Sequence, residues 1–141
     1  AIGTLMKGGK GRTFGADVNS AGVIVGDTNV TREDTQAYRY IPGVGMRGLG
    51  TLPDAAKSPD SYATAINEEG EIVGISDSGP FPAQAGFVYV NDAMHNLDNL
   101  ILGLPDAEKG QYFPADITQG GDICGSTPGA TTTWTQQAFV L

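Results

Sequence analysis

The sequence contains one cysteine and one histidine, and each scarcity excludes a kind of site. Cys124 alone cannot form an internal disulfide, so the fold depends on a packed core. With only His95 to join it, the chain cannot assemble a typical structural zinc site of four Cys and His ligands. A Ser-His-Asp triad would have to use His95, and no nucleophile motif accompanies that residue. We therefore expect a protein that is not an enzyme.

Positive charge and long apolar runs are also scarce. Eight basic residues face sixteen acidic ones, which gives a net charge of −8. This charge repels phosphate backbones, so we expect no nucleic-acid partner. No stretch of about 18 apolar residues occurs, so we expect no membrane insertion. The length of 141 residues is that of one ordinary domain, residues 1–141.

Glycine, in contrast, is abundant, and it recurs at related places in three similar units. One phrase occupies residues 16–26 and returns at residues 64–74 and 115–125, with spacings of 48 and 51 residues. Each copy contains two β-branched runs separated by Asn-x-x-Gly or Thr-x-x-Gly. Asn or Thr opens a tight turn and Gly supplies a positive φ, so each copy predicts a β-hairpin.

Two further phrases follow in the same order and also have the character of strands. The predicted units are therefore four-stranded and cover approximately residues 13–52, 61–100 and 112–141. The predicted strands are 13–19, 22–27, 35–41 and 46–52, then 61–67, 70–76, 84–90 and 94–100, then 112–118, 121–126 and 135–141. The third unit lacks a fourth strand, and residues 2–5 resemble the end of one. We expect residues 2–5 to complete the last sheet, in this chain or in a neighbouring one.

The pattern resembles the HAF repeat of extracellular bacterial proteins across essentially the whole chain. The residues that carry the resemblance are Ile66, Asn67, Gly70, Ile72, Val73, Gly74, Phe87 and Leu49-Gly50-Thr51-Leu52. The His-Ala-Phe positions of that repeat read here Gln36-Ala37-Tyr38, Ala85-Gly86-Phe87 and Gln137-Ala138-Phe139, so no role of the histidine transfers. The resemblance implies a secreted bacterial protein, extracellular or periplasmic, with propeller-like repeats; it implies no activity.

Two all-β architectures fit three units of this size. Four-stranded antiparallel units of this length match propeller blades, which would need a shared six-bladed ring of two chains or a longer array. A β-trefoil also has three repeats of four strands. Both place the same residues in the core: Val18, Ile24, Val25, Tyr38, Leu49, Ile66, Ile72, Val73, Phe87, Leu97, Ile117, Ile123, Cys124 and Phe139.

Binding residues are expected in the loops that differ between the units, because variable loops on a regular scaffold usually build binding sites. These loops are residues 28–35, 77–83 and 127–134 after each second strand, and 6–12, 53–60 and 104–111 before each first strand. The aromatic candidates are Trp134 and Phe81, which suit a sugar face or a protein partner. Arg12, Asp34, Asp60 and Tyr112 are the further candidates. We expect no cofactor, although Asp27-Thr28-Asn29 and Asp77-Ser78 offer hard oxygen ligands suited to calcium.

Three functions are consistent with these features. The leading hypothesis is a non-enzymatic extracellular module for binding or assembly, which forms a homodimer or a larger assembly through its incomplete third unit. The second hypothesis is a lectin-like β-trefoil that binds carbohydrate. The third is a hydrolase that uses carboxylates of the loops.

Overall fold

The computed structural model of the protein describes residues 1–55, 59–79, 84–106, 109–128 and 136–141. The fold is all-β, as predicted, with antiparallel sheets of four, four and three strands. The first sheet contains β1 (Thr13–Val18), β2 (Ile24–Asn29), β3 (Thr35–Ile41) and β4 (Gly45–Gly50); the second contains β5 (Ser61–Ile66), β6 (Ile72–Asp77), β7 (Gln84–Val90) and β8 (Ala93–Asn96); the third contains β9 (Phe113–Ile117), β10 (Ile123–Pro128) and β11 (Gln136–Val140). Within each sheet the strands pair in chain order.

The strand boundaries lie within two residues of those predicted, except at the end of β8. There, Leu97–Asn99 forms a turn of 3₁₀ helix in place of strand. The reason is local: the Asn96 side chain accepts a hydrogen bond from the Asp98 amide at 2.9 Å, which caps the turn. Among the described residues, no helix has the length and apolar character needed to cross a bilayer.

The hairpin between the first two strands of each sheet has the predicted turn. In the second sheet, the Gly70 amide donates to the Asn67 carbonyl at 3.2 Å, and the Glu71 amide donates to Asn67 Oδ1 at 2.9 Å. Asn19 and Thr118 accept the corresponding bonds in the other two sheets. Gly70 has a φ of 84°, a conformation that favours glycine. In the Asn-x-x-Gly pattern, the asparagine therefore supplies the hydrogen bonds of the turn and the glycine supplies the positive φ.

A β-bulge occurs at the same place in all three sheets, and it explains a second set of glycines. The register shifts in the first strand between Gly15 and Asp17, between Ala63 and Ala65, and between Pro114 and Asp116. Opposite these bulges lie Gly26, Gly74 and Gly125. A Cβ at any of them would overlap the backbone carbonyl of Phe14, Tyr62 or Phe113, respectively. Glycine is required here by close approach of the backbone.

The three sheets stack face to face in a row, with the second sheet in the middle. The first apolar cluster lies between sheets one and two, and joins Val25, Ala37 and Leu49 to Ala63, Ile66, Ile72 and Phe87. The second cluster lies between sheets two and three, and joins Ala65, Val73, Val88 and Leu97 to Ile117 and Ile123, with Phe139 packed against it. We call the side of each sheet that looks toward the preceding sheet its front face and the opposite side its back face.

Side-chain amides tie the hairpin turns together along the row. The Asn19 amide Nδ2 donates to the Asn67 carbonyl at 3.2 Å, and Asn67 Nδ2 donates to the Thr118 carbonyl at 3.2 Å. Asn67 is 1% exposed, so its polar atoms are removed from water and bonded within the protein. The turns therefore form a continuous hydrogen-bonded column from the first sheet to the third.

Two residues of the predicted core are on the surface. Val18 is 56% exposed, and Cys124 is an exposed free cysteine. Val18 lies on the front face of the first sheet and Cys124 on the back face of the third, which are the two outer faces of the row. The prediction assumed that both faces of every unit are covered by a neighbouring sheet. It is wrong for Val18 and Cys124 because no sheet covers the faces on which they lie. Ile24 and Phe139 are only half-buried.

Residues 2–5 do not complete the third sheet, so that prediction is wrong within this chain. The segment lies against the first sheet, where Thr13 Oγ1 donates to the Gly3 carbonyl at 2.8 Å and Thr4 Oγ1 lies 3.0 Å from Thr28 Oγ1. Ser61 Oγ makes the equivalent bond to the Gly50 carbonyl at 2.6 Å, where the first sheet leads into the second. These hydroxyl contacts hold the segment beside β1, and β11 remains an edge strand of the third sheet.

Candidate functional site

In the first two sheets, the loops predicted to carry binding residues meet on one side of the row. The Arg12 amide donates to Asn29 Oδ1 at 3.0 Å, and the Asn29 amide donates to the Arg12 carbonyl at 3.0 Å. In the second sheet, Asp60 and Asp77 are joined in the same way by two hydrogen bonds of 2.9 Å. Arg12 and Asp60 therefore occupy equivalent positions at the entrance to the first strand of their sheets.

Asp60 also joins the first sheet to the second. Its Oδ1 accepts the Thr35 amide at 2.6 Å, and its Oδ2 accepts the Tyr62 hydroxyl at 3.2 Å. Beside it is a small cleft of about 190 Å³ between the two sheets. The cleft is lined by Arg12, Phe14, Asp27, Asn29, Thr35 and Tyr62. Of the predicted residues, Arg12 lines the cleft, and Asp60 is hydrogen-bonded to two of its lining residues, Thr35 and Tyr62.

Burial shapes the electrostatics of this small cleft. It raises the pKa of Asp27, while the nearby Arg12 guanidinium acts in the opposite direction. Burial also raises the pKa of Tyr62, and the Asp60 carboxylate adds to this effect through its charge and its hydrogen bond. The Tyr62 hydroxyl therefore stays protonated and donates its hydrogen bond to Asp60, which fixes the Tyr62 ring at the wall of the cleft.

Replacing Asp27 by asparagine is expected to stabilise the protein slightly at neutral pH. Because the folded-state pKa of Asp27 is raised, the folded state binds more protons, and stability falls as pH rises from the unfolded pKa through the folded one. Asp27 is partly solvated, so we expect a gain of only a few tenths of a kcal/mol, about 0.3, at pH 7.

Urea unfolding at pH 7 and pH 3 measures this difference. At pH 3 the carboxyl is largely protonated in both states, so wild type and Asp27→Asn should have nearly the same midpoint. A variant less stable than wild type at pH 7 would contradict the assigned direction of the shift.

A second, larger cleft lies next to the first, between the predicted binding loops 6–12 and 28–35, and Arg12 is the one lining residue that the sequence analysis singled out. It measures about 420 Å³ and is lined by Met6, Lys7, Lys10, Gly11, Arg12, Asn29, Thr31 and Arg32. We call it the basic cleft. The sequence did hold a signal, because four of the eight basic residues lie in these two variable loops.

The remaining candidates are dispersed. Asp34 accepts a hydrogen bond from Thr31 Oγ1 at 2.9 Å and closes a tight turn. Tyr112 packs edge-to-face on Phe139 with ring centroids 5.1 Å apart, in the third sheet. Phe81 and Trp134 lie outside the described residues, so the glycan-binding hypothesis that depends on them stays a hypothesis.

Several of the oxygens considered for calcium are hydrogen-bonded within the protein. Thr28 is fully buried and its hydroxyl donates to the Arg12 carbonyl at 3.2 Å. Asn29 Oδ1 accepts the Arg12 amide, and Asp77 accepts the Asp60 amide and Gln84 Nε2. Across residues 1–55, 59–79, 84–106, 109–128 and 136–141, no three His, Cys, Asp or Glu side chains converge to hold a metal ion.

Two of the carboxylates considered for catalysis, Asp54 and Glu68, are held in separate hydrogen bonds. Asp54 Oδ2 accepts Ser78 Oγ at 3.3 Å, and Glu68 accepts the Ser20 amide at 3.0 Å across the column of turns. His95 is exposed on β8 and lines a shallow cleft of about 310 Å³ with Asp54 and Asn96. Asp54 and Glu68 thus have separate structural partners.

Comparison with protein-family models, with curated proteins and with solved structures finds no match to this chain.

Proposed function

We propose that this chain is a non-enzymatic module of blade-like β-repeats, related to the extracellular HAF-repeat proteins of bacteria, whose function is assembly. The outer faces of its row of sheets pack on the outer faces of a second copy. The observation that carries this proposal is that each outer face exposes apolar residues whose equivalents on the interior faces are buried.

The register of the strands supports this equivalence. Val18 pairs with Ile24, Ile66 with Ile72 and Ile117 with Ile123, always at the mouth of the hairpin. Ile66, Ile72, Ile117 and Ile123 are all less than a tenth exposed beneath the preceding sheet, whereas Val18 is 56% exposed. The front face of the first sheet therefore presents an apolar pair without the sheet that covers it elsewhere.

The back face of the third sheet shows the complementary pattern. Cys124 pairs with Val140 just as Val73 pairs with Val88. Val73 and Val88 are buried against the third sheet, but Cys124 is exposed and Val140 is 74% exposed. Exposed apolar groups of this kind on a regular face mark an interaction surface.

A polar contact of the interior interface also has its counterpart outside. Asp17 projects from the back face of the first sheet and its Oδ2 accepts the Ile66 amide of the second sheet at 2.9 Å. Asp116 has the same position at the bulge of the third sheet and is exposed. A second copy stacked in the same way would bring the backbone beside its Val18 toward Asp116.

The arrangement of the sheets favours blades over a trefoil. In the described residues, extensive strand contacts join the first sheet to the second and the second to the third. A β-trefoil would bring each of its three units against both others. An open row with two uncovered ends is the arrangement from which a head-to-tail ring or stack is built.

Disulfide cross-linking between copies tests the proposed stacking. Wild type, whose one thiol is Cys124, is mixed with the variant Val18→Cys/Cys124→Ser under a mild thiol oxidant such as diamide. Interior Val73 packs with Ile117 and Ile123, so Cys124 of one copy is expected to meet position 18 of the next. We expect the mixed disulfide dimer to be the main oxidised product, with the oxidant taking up the two electrons and two protons.

A matched control is Val44→Cys/Cys124→Ser, because Val44 is 79% exposed in the turn between β3 and β4. Its mixed dimer should form at least about fivefold more slowly, since only random collisions join the two thiols. Equal rates for the two variants, or an equal yield of Cys124–Cys124 dimers, would refute stacking through these faces.

A further inference from the structure

Half of the positive charge of this acidic protein is gathered in one cleft. Lys7, Lys10, Arg12 and Arg32 line the basic cleft, and no carboxylate is among its lining residues. Since the whole chain has sixteen acidic and eight basic residues, the remainder has four basic residues against sixteen acidic ones, a net charge of −12. The cleft is therefore a local positive site on a surface that is otherwise negative.

The cleft is held together by close packing of its two loops. A Cβ on Gly11 would lie 2.5 Å from Thr4 Oγ1 and 3.1 Å from Asn29 Cβ, so only glycine lets the first loop approach so closely. The next residue, Arg12, is pinned by its backbone to Asn29 through two hydrogen bonds of 3.0 Å. Lys10 and Arg12 are thus placed beside the second loop by backbone contacts, independently of their own charges.

The second loop holds Arg32 at the tip of a tight turn. Thr31 Oγ1 accepts the amides of Glu33 at 3.1 Å and Asp34 at 2.9 Å, and it donates to the Asp34 carboxylate. The Asp34 carboxylate of this turn is therefore engaged with Thr31, and neither Asp34 nor Glu33 lines the cleft. Arg32 remains directed, with the three cations of the first loop, at the same space.

The cations of the cleft differ from those elsewhere in the chain. In the described residues, Arg39 and Arg47 lie 2.6 Å and 3.9 Å from Asp92, and Lys109 lies 2.6 Å from Asp106. The four cations of the cleft form no ion pair within that part of the chain, and the one carboxylate on which Arg12 acts, Asp27, lines the small cleft and not the basic cleft. Four like charges on adjacent loops repel one another, and a bound anion would remove that repulsion.

We propose that the basic cleft binds a ligand with two or more closely spaced oxyanion groups, such as phosphate, sulfate or carboxylate. The guanidinium groups of Arg12 and Arg32 suit bidentate contacts with such groups, and Lys7 and Lys10 add mobile positive charge. The volume of about 420 Å³ accommodates a small polyanion or a short segment of an anionic polysaccharide. This site is distinct from the two outer faces, so it does not depend on assembly.

Calorimetric titration at low ionic strength tests the proposal with two probes, inorganic pyrophosphate and a heparin-derived hexasaccharide. The variant Arg12→Gln/Arg32→Gln is expected to weaken binding of the effective probe at least about tenfold, because it removes two charge-assisted contacts. Binding of pyrophosphate identifies a small ligand, and binding of the hexasaccharide alone identifies a polysaccharide segment. Added salt should weaken either interaction.

The matched control is Arg47→Gln, which removes a charge from an arginine whose side chain is 65% exposed outside the cleft. It should change affinity by less than about twofold, and an unchanged thermal midpoint of the double variant confirms that its fold is intact. Similar losses in both variants would show that binding follows net charge, and absence of millimolar binding of both probes to wild type would likewise overturn the site.

Discussion

Replacing Gly74 by alanine is expected to destabilise the protein by about 3 kcal/mol or more. The new Cβ would overlap the Tyr62 carbonyl oxygen, and it would also lie 2.8 Å from Ala63 Cα and 2.7 Å from Phe87 Cζ. Two of these neighbours are backbone atoms of the bulge in β5. To remove these overlaps, β5 and β6 would have to separate at the bulge. Both strands belong to the second sheet, on which the first and third sheets pack.

The midpoint of thermal unfolding, followed by far-ultraviolet circular dichroism, should fall by about 10 °C in Gly74→Ala. Gly120→Ala is the matched control, because a Cβ at Gly120 meets its nearest neighbours at 3.8 Å and needs no unusual φ. It should unfold close to wild type. A Gly74→Ala protein as stable as the control would show that the bulge does not bring the two strands so close.

Replacing Phe87 by alanine is expected to cost about 3–5 kcal/mol. Phe87 is fully buried, and among the described residues it belongs with Tyr38 to the largest side chains removed from solvent. Its ring fills the cluster between the first and second sheets, where Val25 and Ile72 are also fully buried. Neighbours on three strands cannot collapse into the space without breaking their pairing.

Phe14→Ala removes the same group from a position that is 56% exposed, so it is the control for the change in composition. Urea unfolding should place the Phe14→Ala midpoint within about 1 kcal/mol of wild type in free energy of unfolding. If the two variants lost equal stability, the first cluster would not be the packed interface that the structure shows.

Local features of the fold were predictable because they depend on short segments of sequence. Asn67 and Gly70 indicate the hairpin turn, and the turn is observed with both of their expected contacts. The strand boundaries follow from β-branched runs that end at such turns. Hydrogen bonding and steric limits act over a few residues, so three similar phrases produce three similar sheets.

Burial was predicted correctly on the faces that an adjacent sheet covers. Val18 and Cys124 match Ile66 and Val73 in sequence, yet the environment of each pair differs because it is set by the adjacent sheet. The placement of residues 2–5 failed for a related reason. A hydroxyl contact between Thr4 and Thr28 attaches the segment to the first sheet. The sequence of the segment itself does not indicate which sheet it contacts.

The two loops that form the basic cleft were predicted to carry binding residues, but the cleft itself was not, because its residues are brought together by hydrogen bonds between the loops. Lys10 and Arg32 are far apart in sequence, and neither belongs to a motif. What joins them is the pair of hydrogen bonds between Arg12 and Asn29 and the absence of a side chain on Gly11. These contacts follow from the pairing of β1 with β2. They place the basic side chains side by side, although no short stretch of sequence contains all of them.

The column of amides through Asn19, Asn67 and Thr118 gives the molecule a fixed order of modules. The side-chain amide of each asparagine donates a hydrogen bond to the turn of the next sheet, whereas Thr118 has no side-chain amide that could do the same. A chain engineered with its second and third modules exchanged would leave threonine where a donor is needed and send the Asn67 amide out to solvent. The three modules share one strand arrangement, but their turn residues fix the order in which they can follow one another.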